Sequence, residues 1–251
     1  MYNRMIPIKS EEDLKKLQAS GGILGRVMRG LEKIVASGIS TAEIDRIAEK
    51  LIIKENAKPA FKGYRGFPAT LCVSINEEIV HGIPGKRVLR EGDIVGLDLG
   101  VNYLGYFSDA AITLAVGEVS PKVNKLIEVS RQSLVEGIKV AIAGNNLSDI
   151  SHRIQNFVEG KGFSVVRQFV GHGIGLSLHE EPEIPNFGSP HQGPILKSGM
   201  VLAIEPMVNM GGWESEILPN GWTAVTKDRL PSAHFEHTVA ITEEGPRILT
   251  N

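Results

Sequence analysis

Apolar residues return every three or four positions through Leu14, Leu17, Ile23, Val27, Leu31 and Ile34, which lines one face of a helix. Ser10 ahead of Glu11, Glu12 and Asp13 supplies an N-cap hydroxyl and acids at the positive end of the helix dipole. Gly21 and Gly22 weaken this helix and leave room for a break. A second helix is predicted from Ser40, with Glu43 completing a capping box and Ile44, Ile47, Ala48 and Leu51 on its buried face. Residues 58–68, rich in Pro, Gly and aromatics, read as a loop, and residues 70–79 as a strand that runs into a turn at His81-Gly82-Ile83-Pro84. Residues 94–99 and 110–116 flank a polar, glycine-containing tip at 102–105 and are expected to pair as an antiparallel hairpin.

The pattern then restarts. Residues 123–142 are helical in period, with Leu126, Val129, Leu134, Ile138 and Ile142 apolar, and residues 148–158 form a shorter helix carrying Ile150, Ile154 and Val158. Strand-like stretches follow at 164–168, 201–208, 221–226 and 232–242. The run from Gly38 to Ile44 is similar to that from Gly144 to Ile150, and His81-Gly-Ile-Pro84 echoes His179-Glu-Glu-Pro182. Two helices followed by strands, written twice, predict two related halves of one domain.

A chain of 251 residues with 42% hydrophobic and 22% charged positions is ordinary for a globular protein. A net charge of -2 implies no strong attraction to nucleic acid or to a membrane surface. Cys72 is the single cysteine, which excludes an internal disulfide framework and a cysteine-based zinc site, and fits a reducing compartment. The start of the chain has no long apolar core, and runs such as Val201 to Ile204 are far too short to span a bilayer, so a cytoplasmic enzyme is the expectation.

The most unusual stretch is Phe169-Val-Gly-His172-Gly-Ile-Gly-Leu-Ser-Leu-His179-Glu-Glu-Pro182. Three glycines in five residues make a poor helix and allow the backbone to approach something closely, for which a metal or substrate is the candidate. Asp98, Glu205 and Glu236 are embedded in apolar or strand-forming sequence, and Asp109 begins the returning hairpin strand. Carboxylates in such places must be paired, protonated or bound to a cation, and Lys and Arg are scarce around Asp98, Glu205 and Glu236. Four carboxylates with His172 make a hard, oxygen-rich donor set suited to Mn, Fe(II), Co or Zn. Two divalent ions sharing bridging carboxylates can hold a hydroxide between them and polarise a carbonyl, which is equipment for amide or ester hydrolysis.

These residues carry a resemblance. The segment Phe169–Gly175 with His179 and Asn186 is similar to the signature of the type I methionine aminopeptidases, and the order Asp98, Asp109, His172, Glu205, Glu236 resembles that family's five metal ligands. Residues 74–84 and 220–229 extend the likeness over nearly the whole chain. The resemblance implies an α/β (α+β) pita-bread fold: two pseudo-symmetric helix-strand halves around a curved antiparallel sheet, with residues 1–251 forming a single catalytic domain. It implies two divalent metal ions, with Asp109 and Glu236 bridging, Asp98 on one ion, and His172 and Glu205 on the other. Glu205 would also handle the proton of the attacking water. His179 would hydrogen-bond the substrate carbonyl and the oxyanion that follows, and His81 would assist on the leaving side. Tyr64, Phe67, Cys72 and Trp222 match positions lining a methionine side-chain pocket. Phe61, Leu178 and Phe187 stand where relatives often have Cys, Phe and Tyr, and the first two would reshape the pocket wall. His152, His191, His234 and His237 match no catalytic position and are expected to be structural or surface residues.

The activity so implied is removal of N-terminal methionine from nascent chains and peptides when the next residue is small, by a cytoplasmic monomer. Ribosome association fits such a substrate, although no basic patch in the sequence argues for it. A proline-type peptidase of the same fold would share the five ligands but usually carries a sizeable N-terminal domain, and only 97 residues precede Asp98. The short gap between His179 and Glu205 argues against the type II methionine aminopeptidases, which carry an insertion there. A non-enzymatic binding module on this fold would have lost metal ligands, and this chain keeps all five.

Overall fold

The computed structural model describes residues 5–251. Helix α1 spans Glu11–Glu32 and opens on a full capping box, in which Ser10 Oγ accepts from the Asp13 amide and Asp13 accepts from the Ser10 amide. The helix runs without the break that Gly21 and Gly22 made room for. The reason lies in packing. A Cβ on Gly21 would sit 2.3 Å from the Leu249 carbonyl oxygen, and one on Gly25 would sit 2.4 Å from that of Asn251. These glycines admit the end of the chain against the helix and do not bend it. Helix α2, Thr41–Lys54, starts at Ser40, whose hydroxyl accepts from the Glu43 amide; Ile44, Ala48 and Ile52 are fully buried, and Ile47 and Leu51 half-buried. Helices α3, Pro121–Lys139, and α4, Leu147–Glu159, repeat the arrangement in the second half.

The two halves are related in detail. Gly38 and Gly144 both take a left-handed backbone, with φ of 95° and 96°. Each donates its amide to a carbonyl 2.9 Å away, that of Leu89 and that of Leu196. The N-cap residues Ser40 and Asn146 each form a lone antiparallel bridge, to Val88 and to Ile195. Beyond them Gly92 and Gly199, at φ 88° and 89°, lead into strands Ile94–Tyr103 and Val201–Ile204; Asp98 stands in the middle of the first and Glu205 directly follows the second.

A nine-stranded antiparallel sheet joins the halves. Its main path runs Lys58–Pro59, Ile94–Tyr103, Tyr106–Ala115, Glu236–Thr242, Val201–Ile204, Gly171–Gly173, Glu180–Ile184, with Leu71–Ile75 and Gly245–Ile248 pairing to its second and fourth members. Strand alternation sorts its residues between two faces. Val95, Leu97 and Leu99 pack with α1 and α2, and Leu202, Ile204, Val239 and Ile241 pack with α3 and α4. The opposite face carries Asp98, Asp109, Glu205 and Glu236.

Three expected strands are each two strands. Residues 70–79 divide into Leu71–Ile75 and Glu78–Val80 at Asn76, whose φ is 57° and whose side chain accepts from the Ile94 amide at 2.9 Å and donates to Asp93 at 2.8 Å. Residues 201–208 divide at Glu205-Pro206 into Val201–Ile204 and Met207–Asn209, because proline has no amide to donate to a ladder. Residues 232–242 divide at Phe235 into Ser232–His234 and Glu236–Thr242. The last two breaks lie side by side, so both chains leave the large sheet together and re-pair in a small one with Ser164–Val165. Glu205 and Glu236 sit at that departure. The glycine-rich stretch is not helical, as expected, and Gly171–Gly173 is a strand. A Cβ on Gly171 would lie 2.4 Å from the Ala203 oxygen and one on Gly173 would lie 2.1 Å from that of Glu181. The close approach these glycines permit is to neighbouring strands, not to a ligand.

Candidate active site

The sheet brings the sequence-predicted donors together through register alone. Asp98 faces Ala111 across the hairpin, and Ala111 faces Glu236 on the next strand. Asp109, two residues from Ala111, therefore shares their face. On the other side His172 pairs with Ala203, two residues before Glu205. Two threonine side chains lock this register. Thr238 Oγ1 accepts from the Asp109 amide at 2.9 Å and donates to the Asp109 carbonyl at 2.8 Å. Thr113 Oγ1 makes the same pair of bonds to the backbone of His234, both at 2.9 Å.

His172 donates from Nδ1 to the Gly173 carbonyl at 2.9 Å, which leaves the Nε2 lone pair free. That atom lies 3.6 Å from Glu205 Oε1 and 3.9 Å from Asp109 Oδ2. Ligand atoms of Asp109, His172 and Glu236 fall within 4.8 Å of one another, as do those of Glu205, His234 and Glu236. Asp109 is 4% exposed and Glu236 2%. Asp98 Oδ1, Asp109 Oδ1 and Glu236 Oε1 are buried without a hydrogen-bond partner. No Lys or Arg forms an ion pair with any of the four carboxylates among the described residues.

Such crowding holds protons on the carboxyls. Burial raises Asp98 to about 7, while a hydrogen bond from Cys72 pulls it back. Burial, and then the charges of the other acids, raise Asp109, Glu205 and Glu236 well above the usual carboxylate range. Burial lowers His172 to about 4, so its imidazole is neutral near pH 7. Orphaned buried oxygens, a free imidazole nitrogen and no compensating cation fit divalent metal ions, whose charge the donor set balances.

Beside the donors a cleft is lined by Phe61, Tyr64, Arg65, Phe67, Cys72, His81, Leu178, His179 and Trp222 as well as all five proposed ligands. Every residue singled out in the sequence as ligand, catalytic group or pocket wall opens onto this one space. Cys72 stands opposite Asp98 in the ladder, and burial followed by the Asp98 charge raises its thiol well above the usual range, so it is a wall and not a nucleophile. Tyr64 stacks on His179, and Phe67 meets Trp222 edge-on with centroids 5.1 Å apart. Burial lowers His179 to about 3, the nearby His172 adding to the effect, and burial lowers His81 as well.

Of the four histidines expected to be structural or surface residues, His234 is not at the surface and was not singled out in the sequence as part of the site: it is 3% exposed, and its Nε2 lies 3.7 Å from Glu205 Oε2. Arg65, on the cleft rim at φ 49°, was also missed; a bend in a loop leaves no periodic trace. His152 bonds to Gly188 and Asn156 at the surface, His191 is exposed, and His237 pairs with Thr250. Phe187 is half-buried beside the second-half core and is absent from the cleft lining.

The sequence matches Metallopeptidase family M24 over residues 15–243. The chain belongs to that family. It is 52% identical to the methionine aminopeptidase of Clostridium perfringens over 246 residues, which are 98% of this chain and 99% of the relative. The crystal structure of methionine aminopeptidase from Thermotoga maritima superposes with a TM-score of 0.97 at 45% identity, covering 98% of this chain and 100% of that one. The prolidase from Pyrococcus horikoshii superposes at a TM-score of 0.80 and 24% identity, a likeness of fold, and only 64% of it is covered. The chain is thus an M24 metallopeptidase with the pita-bread architecture, and the prolidase possesses a further third that this chain does not match.

Proposed function

We propose that this chain removes N-terminal methionine from peptides and nascent proteins whose second residue is small. The observation that carries the reading is the convergence of Asp98, Asp109, His172, Glu205 and Glu236, with orphaned buried oxygens, on one wall of a cleft whose other wall is aromatic and apolar. The whole-length similarity to methionine aminopeptidases supports the substrate.

In this reading the five residues hold two divalent ions drawn from Co, Mn, Fe(II) or Zn. When bound, such ions supply a water deprotonated near neutral pH and polarise the scissile carbonyl. The chain's own residues do the rest. Phe67, Trp222, Cys72 and Tyr64 enclose the methionine side chain and exclude water. Glu205 accepts the proton of the attacking water. His179, neutral at pH 7, donates from Nε2 to the carbonyl oxygen as it gains negative charge, and His81 assists departure of the amine.

Hydrolysis of Met-Ala-Ser beside Ala-Pro-Ala, after reconstitution with each metal in turn, tests the reading. Release of methionine alone is expected; cleavage of the Xaa-Pro peptide alone would move the chain to the prolidase side. His172→Ala and Asp109→Ala are expected to abolish turnover in ample metal. We further take the chain to form a single catalytic domain that acts in the cytoplasm as a monomer, on chains emerging from the ribosome. No helix among the described residues is long and apolar enough to cross a membrane. Sedimentation alone and with ribosomes checks both parts.

A further inference from the structure

The two carboxylate oxygens of Glu205 face two different imidazoles. Oε1 lies 3.6 Å from His172 Nε2, and Oε2 lies 3.7 Å from His234 Nε2. His172 opens onto the cleft; His234 does not, and it stands behind the carboxylate. Its Nε2 is buried and has no hydrogen-bond partner. An imidazole buried without a partner is costly in an otherwise apolar setting. Nor can the ring withdraw, because Thr113 clasps the His234 backbone on both its amide and its carbonyl, and Ser130 donates to the adjoining Ala233 carbonyl at 3.0 Å. The fold thus fixes an unsatisfied ring nitrogen against one oxygen of a proposed ligand and leaves the other oxygen to the cleft.

We propose that His234 is a positioning residue for Glu205: its Nε2–H donates to Oε2 and turns Oε1 toward the cation shared with His172. A small rotation of the carboxylate on cation binding closes the 3.7 Å gap to a hydrogen bond. Carboxylates held from behind in this manner bind metal more tightly by roughly 10–100-fold than the same ligands left free. The inference rests on the reading that Glu205 and His172 hold a divalent ion, and the test separates the two.

The experiment is calorimetric titration of Mn(II) into the metal-stripped full chain, so the readout is binding and not turnover. Wild type is expected to take two ions, and His172→Ala to lose one. His234→Leu is expected to keep both sites and weaken one of them by roughly 10–100-fold. His234→Gln, whose carboxamide still donates to Oε2, is expected to restore binding to within about threefold of wild type, about 0.65 kcal/mol at 25 °C. Melting curves in chelator report folding, and His234→Met replaces the leucine variant if that one does not fold. Wild-type affinity in the leucine or methionine variant would overturn the proposal. So would a glutamine variant as weak as leucine, which would make the imidazole itself a ligand. Unchanged binding in His172→Ala would overturn the underlying reading of the metal site, and the proposal with it.

Discussion

The Tyr64 hydroxyl lies 2.9 Å from Nδ1 of His179, and the two rings stack with centroids 5.2 Å apart. This contact joins the wall of the cleft to the group proposed to hold the substrate carbonyl. For His179 to donate from Nε2, its Nδ1 must accept, and the Tyr64 hydroxyl is the donor in reach. Tyr64→Phe therefore loses the bond that fixes the tautomer while keeping the ring stack. A single hydrogen bond contributes about 1 kcal/mol, so kcat is expected to fall roughly fivefold with KM nearly unchanged. His179→Ala removes the carbonyl donor itself and is expected to cost about 10²–10³ in kcat. Steady-state kinetics on Met-Ala-Ser checks both; an unchanged kcat in Tyr64→Phe would detach Tyr64 from any role in orienting His179.

Much of this arrangement was legible before the structure. The first hairpin and all four helices follow from periodicity and caps, and the embedded acids Asp98, Glu205 and Glu236 announced themselves because apolar strands tolerate a carboxylate only for a reason. What could not be read was where a strand changes sheets. Pro206 marks one break, but nothing in the sequence around Phe235 marks the other, and only the pairing of both runs in two different sheets shows where each half goes. His234 fell on the far side of such a break, in a sequence neighbourhood that looks like ordinary core. The glycines were misread for a related reason. Local sequence tells that a backbone approaches something, whereas the partner, a carbonyl of Ala203 or Leu249, comes from far along the chain.

Gly21 and Gly22 turn that distinction into a measurement. Alanine is the better helix former by about 1 kcal/mol, and at Gly22 the nearest atom to an added Cβ is the end of the Arg26 side chain at 3.7 Å. Gly22→Ala is expected to stabilise the protein by about 0.5–1 kcal/mol. At Gly21 the same methyl would meet the Leu249 carbonyl at 2.3 Å and must push the last strand off the helix. Gly21→Ala is expected to destabilise by about 1–3 kcal/mol despite its propensity. Urea unfolding of the two variants should move in opposite directions. A stabilised Gly21→Ala would show that the chain end does not rest on α1.

The proposed methionine pocket offers a second case. A Cβ on Gly100 would lie 2.6 Å from Cε1 of Phe61, which lines the cleft. Gly100→Ala must turn that ring, and overpacking of this kind costs about 1–3 kcal/mol. Because the ring faces the pocket, the expected reading is a KM for methionyl peptides raised roughly tenfold, with metal affinity unaltered. Weakened metal binding would instead mean that the strain had passed to Asp109, which faces Gly100 across the hairpin.

Stability of the metal-free protein should fall as pH rises above neutrality. Asp98 is raised to about 7, and Asp109, Glu205 and Glu236 are raised well above the usual range, first of all by burial. An acid whose folded value is raised holds its proton in the native state after the unfolded chain has released it. Its stabilising contribution is complete below the unfolded value and is lost as pH climbs through the folded one. The buried histidines act in the opposite sense. His172 and His237 are lowered to about 4, and His179 and His234 to about 3, so they favour the native state increasingly up to their unfolded value near 6.5 and add no slope beyond it. Above the unfolded histidine value only carboxyls raised beyond it contribute a slope, and that slope is toward lower stability. Chelator-treated protein is therefore expected to melt at a lower temperature as pH rises past neutrality. Mn(II) should flatten the loss, because a cation takes the place of the protons, and its binding should release them into a weakly buffered solution. A chelated protein whose melting temperature stayed level as pH rose past neutrality would mean that these carboxyls are already ionised in the native state.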